Sequence, residues 1–287
     1  MKHMRRLVVD TWQNGAESAH VILWTLAKRP VMSCCTVALK VLLVIHRLMQ
    51  QGPFEVLPAC SQSATLMQGV EAAWRQSSDP WAPLAVSYAG LVSSKAVFHG
   101  HFPNYSSAYV DESGKATIDS RAVWHMLHVL QRCIAAVNAA LDRMALVGSQ
   151  AEELTSSVAL PLLKEVDMVY NATTSNTYKL ASSRDSAVCS EARSSLYNKL
   201  SNLHERLRET YQRASRCSPL RASGATPPAM PETLPDPTSF AETVCSGSRR
   251  CLSVSYASVT HDQILSLSFA AGEASDITCA RLHRSLS

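Results

Sequence analysis

The stretch VALKVLLVIHRLMQQGPFEVL, residues 37–57, decides the fold. Val37, Leu39, Val41, Leu42, Leu43, Val44, Ile45 and Leu48 place apolar side chains on nearly every side of one helix. Ser33 is placed to cap it, Gln51 ends it, and Gly52-Pro53 supplies the stop. A helix apolar all round is stable only when other helices surround it, so it belongs at the centre of a bundle or solenoid. The most apolar run, Val31 to Ile45, contains Lys40 and is only about 15 residues long, against the roughly 20 needed to cross a bilayer.

Helical periods continue on both sides of this segment. Upstream, Met4, Leu7, Val8 and Thr11 share a stripe over Lys2 to about Thr11, which Asn14-Gly15 stops. A second helix is expected over Ala16 to Ala27, with Ala19, Ile22, Leu23 and Leu26 on one face and Lys28-Arg29-Pro30 at its end. Downstream, helices are expected over Gln62–Gln76 and Trp81–His99, with Ser77-Ser78-Asp79-Pro80 as the turn between them. A loop over His101–Gly114 leads to three long helices, near Asp119–Val147, Glu152–Ser182 and Arg184–Ser215; Pro161 is expected to kink the second or begin a turn.

The expected class is therefore all-α, and successive helices joined by short turns are compatible with a right-handed helical solenoid. Composition agrees, since 10 Gly and 6% aromatic residues in 287 are poor material for a turn-rich β architecture. The helical domain is expected over residues 1–217. A proline-rich connector over 218–239 carries six prolines, and 240–287, Ser-rich and without sustained period, is expected to be a disordered tail.

The net charge of +4 and pI near 8.6 suit an anionic partner, provided the charge is concentrated somewhere. Nine cysteines without any CxxC pair read as reduced, packed thiols of a cytosolic protein. MKHMRRLVVDTWQNG lacks the apolar core of a signal peptide. GxSxG, GxxxxGK[ST] and HExxH are all missing, so no enzyme is expected. His99 with His101, and His125 with His128, offer two metal ligands each but no third, so neither a metal nor another cofactor is expected. The long helices carry no basic stripe interleaved with aromatics, which disfavours nucleic acid.

The charge is concentrated at KHMRR. Lys2, His3, Arg5 and Arg6 crowd the first turns of a helix, where free backbone N–H groups and the positive end of the dipole favour phosphate oxygens. Lys2 supplies a compact charge, His3 an N–H donor, and Arg5 and Arg6 planar forks.

Taken in order, KHMRRLVVDTW, VALKVLLVIHRLMQQGPFEVL, WAPLAVSYAGLVSSKAVFHGHFPNY, ELTSSVALPLLKEVDMVYN, LHERLRETYQRAS and MPETLPDP resemble the ANTH domain of endocytic clathrin adaptors. The huntingtin-interacting protein branch is the nearest in pattern. The resemblance covers roughly Met1 to Pro237, and Lys40, Leu42, Val44, Ile45, His46, Arg47, Leu48 and Gly52 fit its core-helix motif. Lys2 and His3 match the second Lys and the His of the family's Lys-x-Lys-His start; Met1 takes the middle position, and the first Lys has no counterpart.

The resemblance implies a superhelix that binds phosphatidylinositol 4,5-bisphosphate on its surface through its first helices. It also implies a peripheral, cytoplasmic place at the plasma membrane or endocytic vesicles. Links to clathrin and actin machinery would run through regions outside this chain. The alternative is a helical scaffold that has lost lipid binding and works through grooves between helices or through the proline-rich connector. His46 is expected to be an ordinary packed core residue.

Overall fold

The computed structural model describes residues 2–114, 118–146, 149–182, 190–222, 227–228 and 230–234, and the statements below concern those residues. They form helices α1 (Lys2–Ala27), α2 (Cys35–Gln51), α3 (Val56–Gln62), α4 (Ala64–Trp74), α5 (Ala82–His101), α6 (Ser120–Leu146), α7 (Ser149–Ser182), α8 (Ser190–Arg216) and α9 (Ser218–Ala222). The only β pairing among the described residues is an isolated bridge, Tyr105 to Asp111.

The expected stop at Asn14-Gly15 appears as a break inside α1, where Gly15 takes φ 58° and ψ −138°. Nothing lies close to the position of a Cβ there, so the positive φ, not space, is what calls for glycine. Before the break, Val8 and Thr11 are buried, and after it Ala19 and Leu23 are buried, so both halves turn their apolar stripes inward.

Helix α2 is the central element that its sequence demands. Ala38, Leu39, Val41, Leu42, Ile45, Leu48 and Met49 are buried, and α2 packs against α1, α3, α4, α5 and α7. The backbone N–H of Gly52 closes the helix on the Leu48 carbonyl at 2.8 Å. A Cβ at Gly52 would lie 2.6 Å from that same oxygen, so only glycine allows this corner to be so tight.

The chain then builds outward by layers, α5 packing on α3 and α4, α6 on α5, and α7 and α8 on α6. In the turn before α5, Trp81 N donates to Asp79 Oδ1 at 2.8 Å and Ala82 N to the Asp79 carbonyl at 2.9 Å, while the N-cap of the helix, Trp81, makes no side-chain cap.

Three local expectations are corrected. Ser33 does not cap α2, whose N-cap is Cys34 without a side-chain hydrogen bond, because Ser33 Oγ donates instead to the Pro30 carbonyl at 3.4 Å. Residues 62–76 do not form one helix: α3 already begins at Val56, and Ser63 separates it from α4. Pro58 hid α3 from a sequence reading, yet it stands in the first turn, where no intrahelical partner for its missing N–H is needed. Burial of Val56, Leu57, Ala59 and Cys60 supplies the rest of the reason. Pro161 begins no turn: it lies inside α7, which continues through it.

Contact with the helical body extends beyond residue 217. Leu220 of α9 is fully buried, and Met230 and Leu234 pack against the core. His204 Nε2 donates to the Pro231 carbonyl at 3.1 Å, while Tyr170 OH donates to His204 Nδ1 at 2.8 Å. The expected tail, 240–287, lies outside the described residues. Cys35, Cys60 and Cys133 are buried free thiols, and no described helix is long and apolar enough to cross a membrane.

Candidate functional site

Lys2, His3, Arg5 and Arg6 occupy the first two turns of α1. At helical spacing, Arg5 and Arg6 both neighbour Lys2, and Arg6 neighbours His3. His3, Arg5 and Arg6 are exposed, and among the described residues no hydrogen bond or ion pair engages them. The side chain of Lys2 lies outside the described atoms. On the opposite side of the helix Val8 and Thr11 are buried, and Thr11 Oγ1 donates to the Val8 carbonyl at 2.7 Å. The basic face is thus turned to solvent because the apolar face is taken up by the core.

A second polar cluster lies inside the protein, and sequence reasoning missed it. The Glu165 carboxylate of α7 is fully buried and accepts five hydrogen bonds. Lys95 Nζ of α5 donates to Oε1 at 2.7 Å and to Oε2 at 2.8 Å. Tyr109 OH donates to Oε1 at 2.5 Å. From α2, His46 Nε2 and Gln50 Nε2 donate to Oε2 at 3.1 and 2.8 Å. Gln50 also donates to the Pro161 carbonyl at 2.9 Å.

Tyr88 OH, 3.0 Å from His46 Nδ1, then serves as the donor that the Nε2–H tautomer requires. The third proton of Lys95 reaches the Ser107 carbonyl at 3.3 Å. Tyr109 reaches the cluster from the loop after α5 by adopting φ 64°, an uncommon conformation for a non-glycine residue. The cluster therefore ties α2, α5, α7 and that loop to one carboxylate.

Its electrostatics are consistent with one neutralised ion pair among neutral donors. Burial by itself would raise the Glu165 carboxyl, but the Lys95 ammonium and the His46 hydrogen bond hold it well below the usual carboxylate range. Burial pushes the His46 imidazole down, outweighing the pull of Glu165, so His46 is neutral. Burial and then the Glu165 charge push the Tyr109 phenol up. Nearby, His99 is pushed down to about 3 by burial, with Lys95 adding to the effect. The cluster has no opening to solvent, and what it can do is hold four parts of the fold in register.

A pH dependence follows. The folded pKa of His99, about 3, is below its ordinary 6.5, so within that window the unfolded chain binds a proton that the folded chain refuses. His46 shifts the same way. Glu165 is also depressed when folded, so its contribution is present above its ordinary 4.5 and lost as pH falls. All three signs agree, and stability falls on acidification by up to about 1.4 kcal/mol per pH unit for each histidine. Urea unfolding midpoints should drop between pH 7.5 and 5.5; a flat profile would refute the neutral buried histidines.

The remaining histidine pairs form no such centre. The His101 and His125 rings meet edge to face at 5.3 Å, and among the described residues no three His, Cys, Asp or Glu side chains converge as metal ligands. The signal that could have exposed the buried cluster was present in the sequence: Lys95 and Glu165 are charged residues on otherwise apolar helix faces, four residues after Leu91 and three after Leu162.

Comparison with known proteins places this geometry. A family model described as the ANTH domain matches residues 1–236. Among curated proteins no sequence matches. Among solved structures, the chain is similar to the ENTH domain from epsin-2 in complex with phosphatidylinositol 4,5-bisphosphate, with a TM-score of 0.58 and 20% identity over 80% of this chain and 89% of that one. At that identity the likeness is one of fold: an all-helical superhelix.

Proposed function

The chain belongs to the ANTH domain family, and on that premise we propose that it is a phosphoinositide-binding endocytic adaptor module, not an enzyme. Lys2, His3, Arg5 and Arg6 are the head-group ligands in this reading. The observation that carries it is the exposed, unengaged basic face at the start of α1, where helix dipole and free N–H groups favour phosphate. The membrane is contacted peripherally, from the cytoplasmic side of the plasma membrane or an endocytic vesicle. Clathrin and actin machinery would be engaged through regions outside this chain.

Cosedimentation with phosphatidylcholine vesicles, with and without phosphatidylinositol 4,5-bisphosphate, tests the reading. Pelleting should require the phosphoinositide and weaken with salt. Lys2→Glu/His3→Glu and Arg5→Glu/Arg6→Glu should each reduce binding by roughly 30-fold or more. Equal pelleting of all variants on both vesicles would sink it and leave the scaffold as the better reading.

A further inference from the structure

We propose that the cavity beside the loop between α5 and α6 is a recognition pocket for a primary ammonium, of the kind that a lysine side chain of a partner protein carries. It is built from elements other than the basic start of α1 and does not depend on the membrane-binding reading.

The loop folds back on itself. Ser106 N donates to the Val110 carbonyl at 2.9 Å and Glu112 N to the Asn104 carbonyl at 3.0 Å, so Tyr105 and Asp111 face each other across an isolated antiparallel bridge. They make no backbone hydrogen bond to one another, and in such a pair the two side chains stand on one face, with Cβ atoms about 4.5–5.5 Å apart. Together with Phe102, Ile118, Asp119 and Arg121, among others, they line a cavity of about 330 Å³. That is the low end for a ligand pocket, with room for a side chain but not for a drug-sized molecule.

Tyr105 is the group that points to a ligand. Only 6% of it is exposed, and its ring packs at 5.4 Å from that of Phe98 and 6.0 Å from that of Phe102. Its hydroxyl nevertheless has no hydrogen-bond partner among the described residues. Burial, and then the charges of Asp111 and Asp119, push the phenol up to about 12, so it stays protonated and its hydroxyl end is the one that faces the two carboxylates. A nearly buried hydroxyl without a partner is costly, and a donor arriving from outside satisfies it.

Charge selects the occupant. Asp111 Oδ1 accepts the Ser113 N–H at 2.9 Å, Oδ2 is open, and among the described residues no cation pairs with this carboxylate. Asp119 is already engaged by Arg121, whose backbone N and Nη2 donate to Oδ1 and Oδ2 at 2.8 and 3.3 Å. The cations of the rim are that Arg121, largely neutralised by its pair, and His101, whose ring lies edge to face with His125. One open carboxylate oxygen beside one open phenol oxygen suits a compact ammonium that donates to both. A guanidinium fork seeks both oxygens of one carboxylate, and a quaternary ammonium has no N–H for Tyr105. The alkyl stem of a lysine finds apolar surface on Phe102 and Ile118, and the rings of Tyr105 and Phe102 add cation–π attraction.

The experiment titrates Nα-acetyl-lysine methylamide into the full chain and follows the backbone amides by NMR, with the uncharged norleucine analogue and choline as comparisons. Saturable shifts confined to residues around the cavity are expected at roughly millimolar probe, and neither comparison compound should saturate in that range. Asp111→Asn keeps the shape of the side chain and the acceptor for Ser113, and Tyr105→Phe keeps the ring. Each should weaken binding of the lysine probe by about fivefold or more.

A lysine probe that gives no saturable shift, or shifts that both variants leave unchanged, overturns the proposal. Equal shifts from the norleucine analogue overturn it in favour of an apolar ligand, and equal shifts from choline in favour of a quaternary ammonium. None of these outcomes bears on the vesicle experiment, so the two readings stand or fall separately.

Discussion

Lys95→Met lowers the stability of the folded chain by about 3–5 kcal/mol, because it leaves Glu165 as a buried charge without its counter-ion. Glu165 lies at zero exposure, and the ammonium reaches it at 2.7 and 2.8 Å. Single domains of this kind have only about 5–15 kcal/mol in total, so the loss is readable as a large fall in the urea midpoint. An isolated buried ion pair replaced on both sides by apolar residues would recover most of that.

Here the double variant Lys95→Met/Glu165→Leu should remain well below wild type. Tyr109 OH, His46 Nε2 and Gln50 Nε2 also donate to the carboxylate, and removing it orphans buried donors at about 1–3 kcal/mol each. Full recovery in the double variant would mean that the cluster is an ion pair with bystanders and not a hub.

Phe98→Ala is the second large effect, again about 3–5 kcal/mol. Phe98 is fully buried, and its ring lies within 5.1–5.4 Å of those of Tyr109, His99, Phe102 and Tyr105. Three of those partners, Phe102, Tyr105 and Tyr109, belong to the loop between α5 and α6. The cavity therefore opens where that loop is anchored, and amide exchange over residues 102–114 should accelerate more than exchange in α1. Uniform acceleration across the helices would show instead that the loop gains nothing local from the aromatic cluster.

Much of the fold was legible along the chain. The centrality of α2 follows from apolar residues on nearly all its sides, and the break in α1 from Asn14-Gly15, because both signals are written within a few residues of where they act. The outward basic face of α1 was equally readable, since Met4, Leu7, Val8 and Thr11 claim the inward one. Helix α3 was not, because Pro58 signals a breaker unless one knows that it falls in a first turn.

His46 marks the limit more sharply. By sequence it has no titratable neighbour, and it is indeed packed in the core, yet its partner Glu165 lies 119 residues away. Lys95 and Tyr109 come to that carboxylate from separations of 70 and 56. The contact of Trp12 with Gln51, across 39 residues, is of the same kind.

By itself, then, the sequence determined the helical class, the central helix, the break at Gly15 and the basic start turned to solvent, all consequences of local periodicity and of what glycine and proline allow. Only the tertiary structure decided which buried charge meets which, and that the Trp12 indole of α1 is held on the Gln51 carbonyl at the end of α2. The physical reason is that a buried polar group must be satisfied wherever packing happens to bring a partner, and helix packing brings together residues whose distance along the chain carries no trace of the meeting.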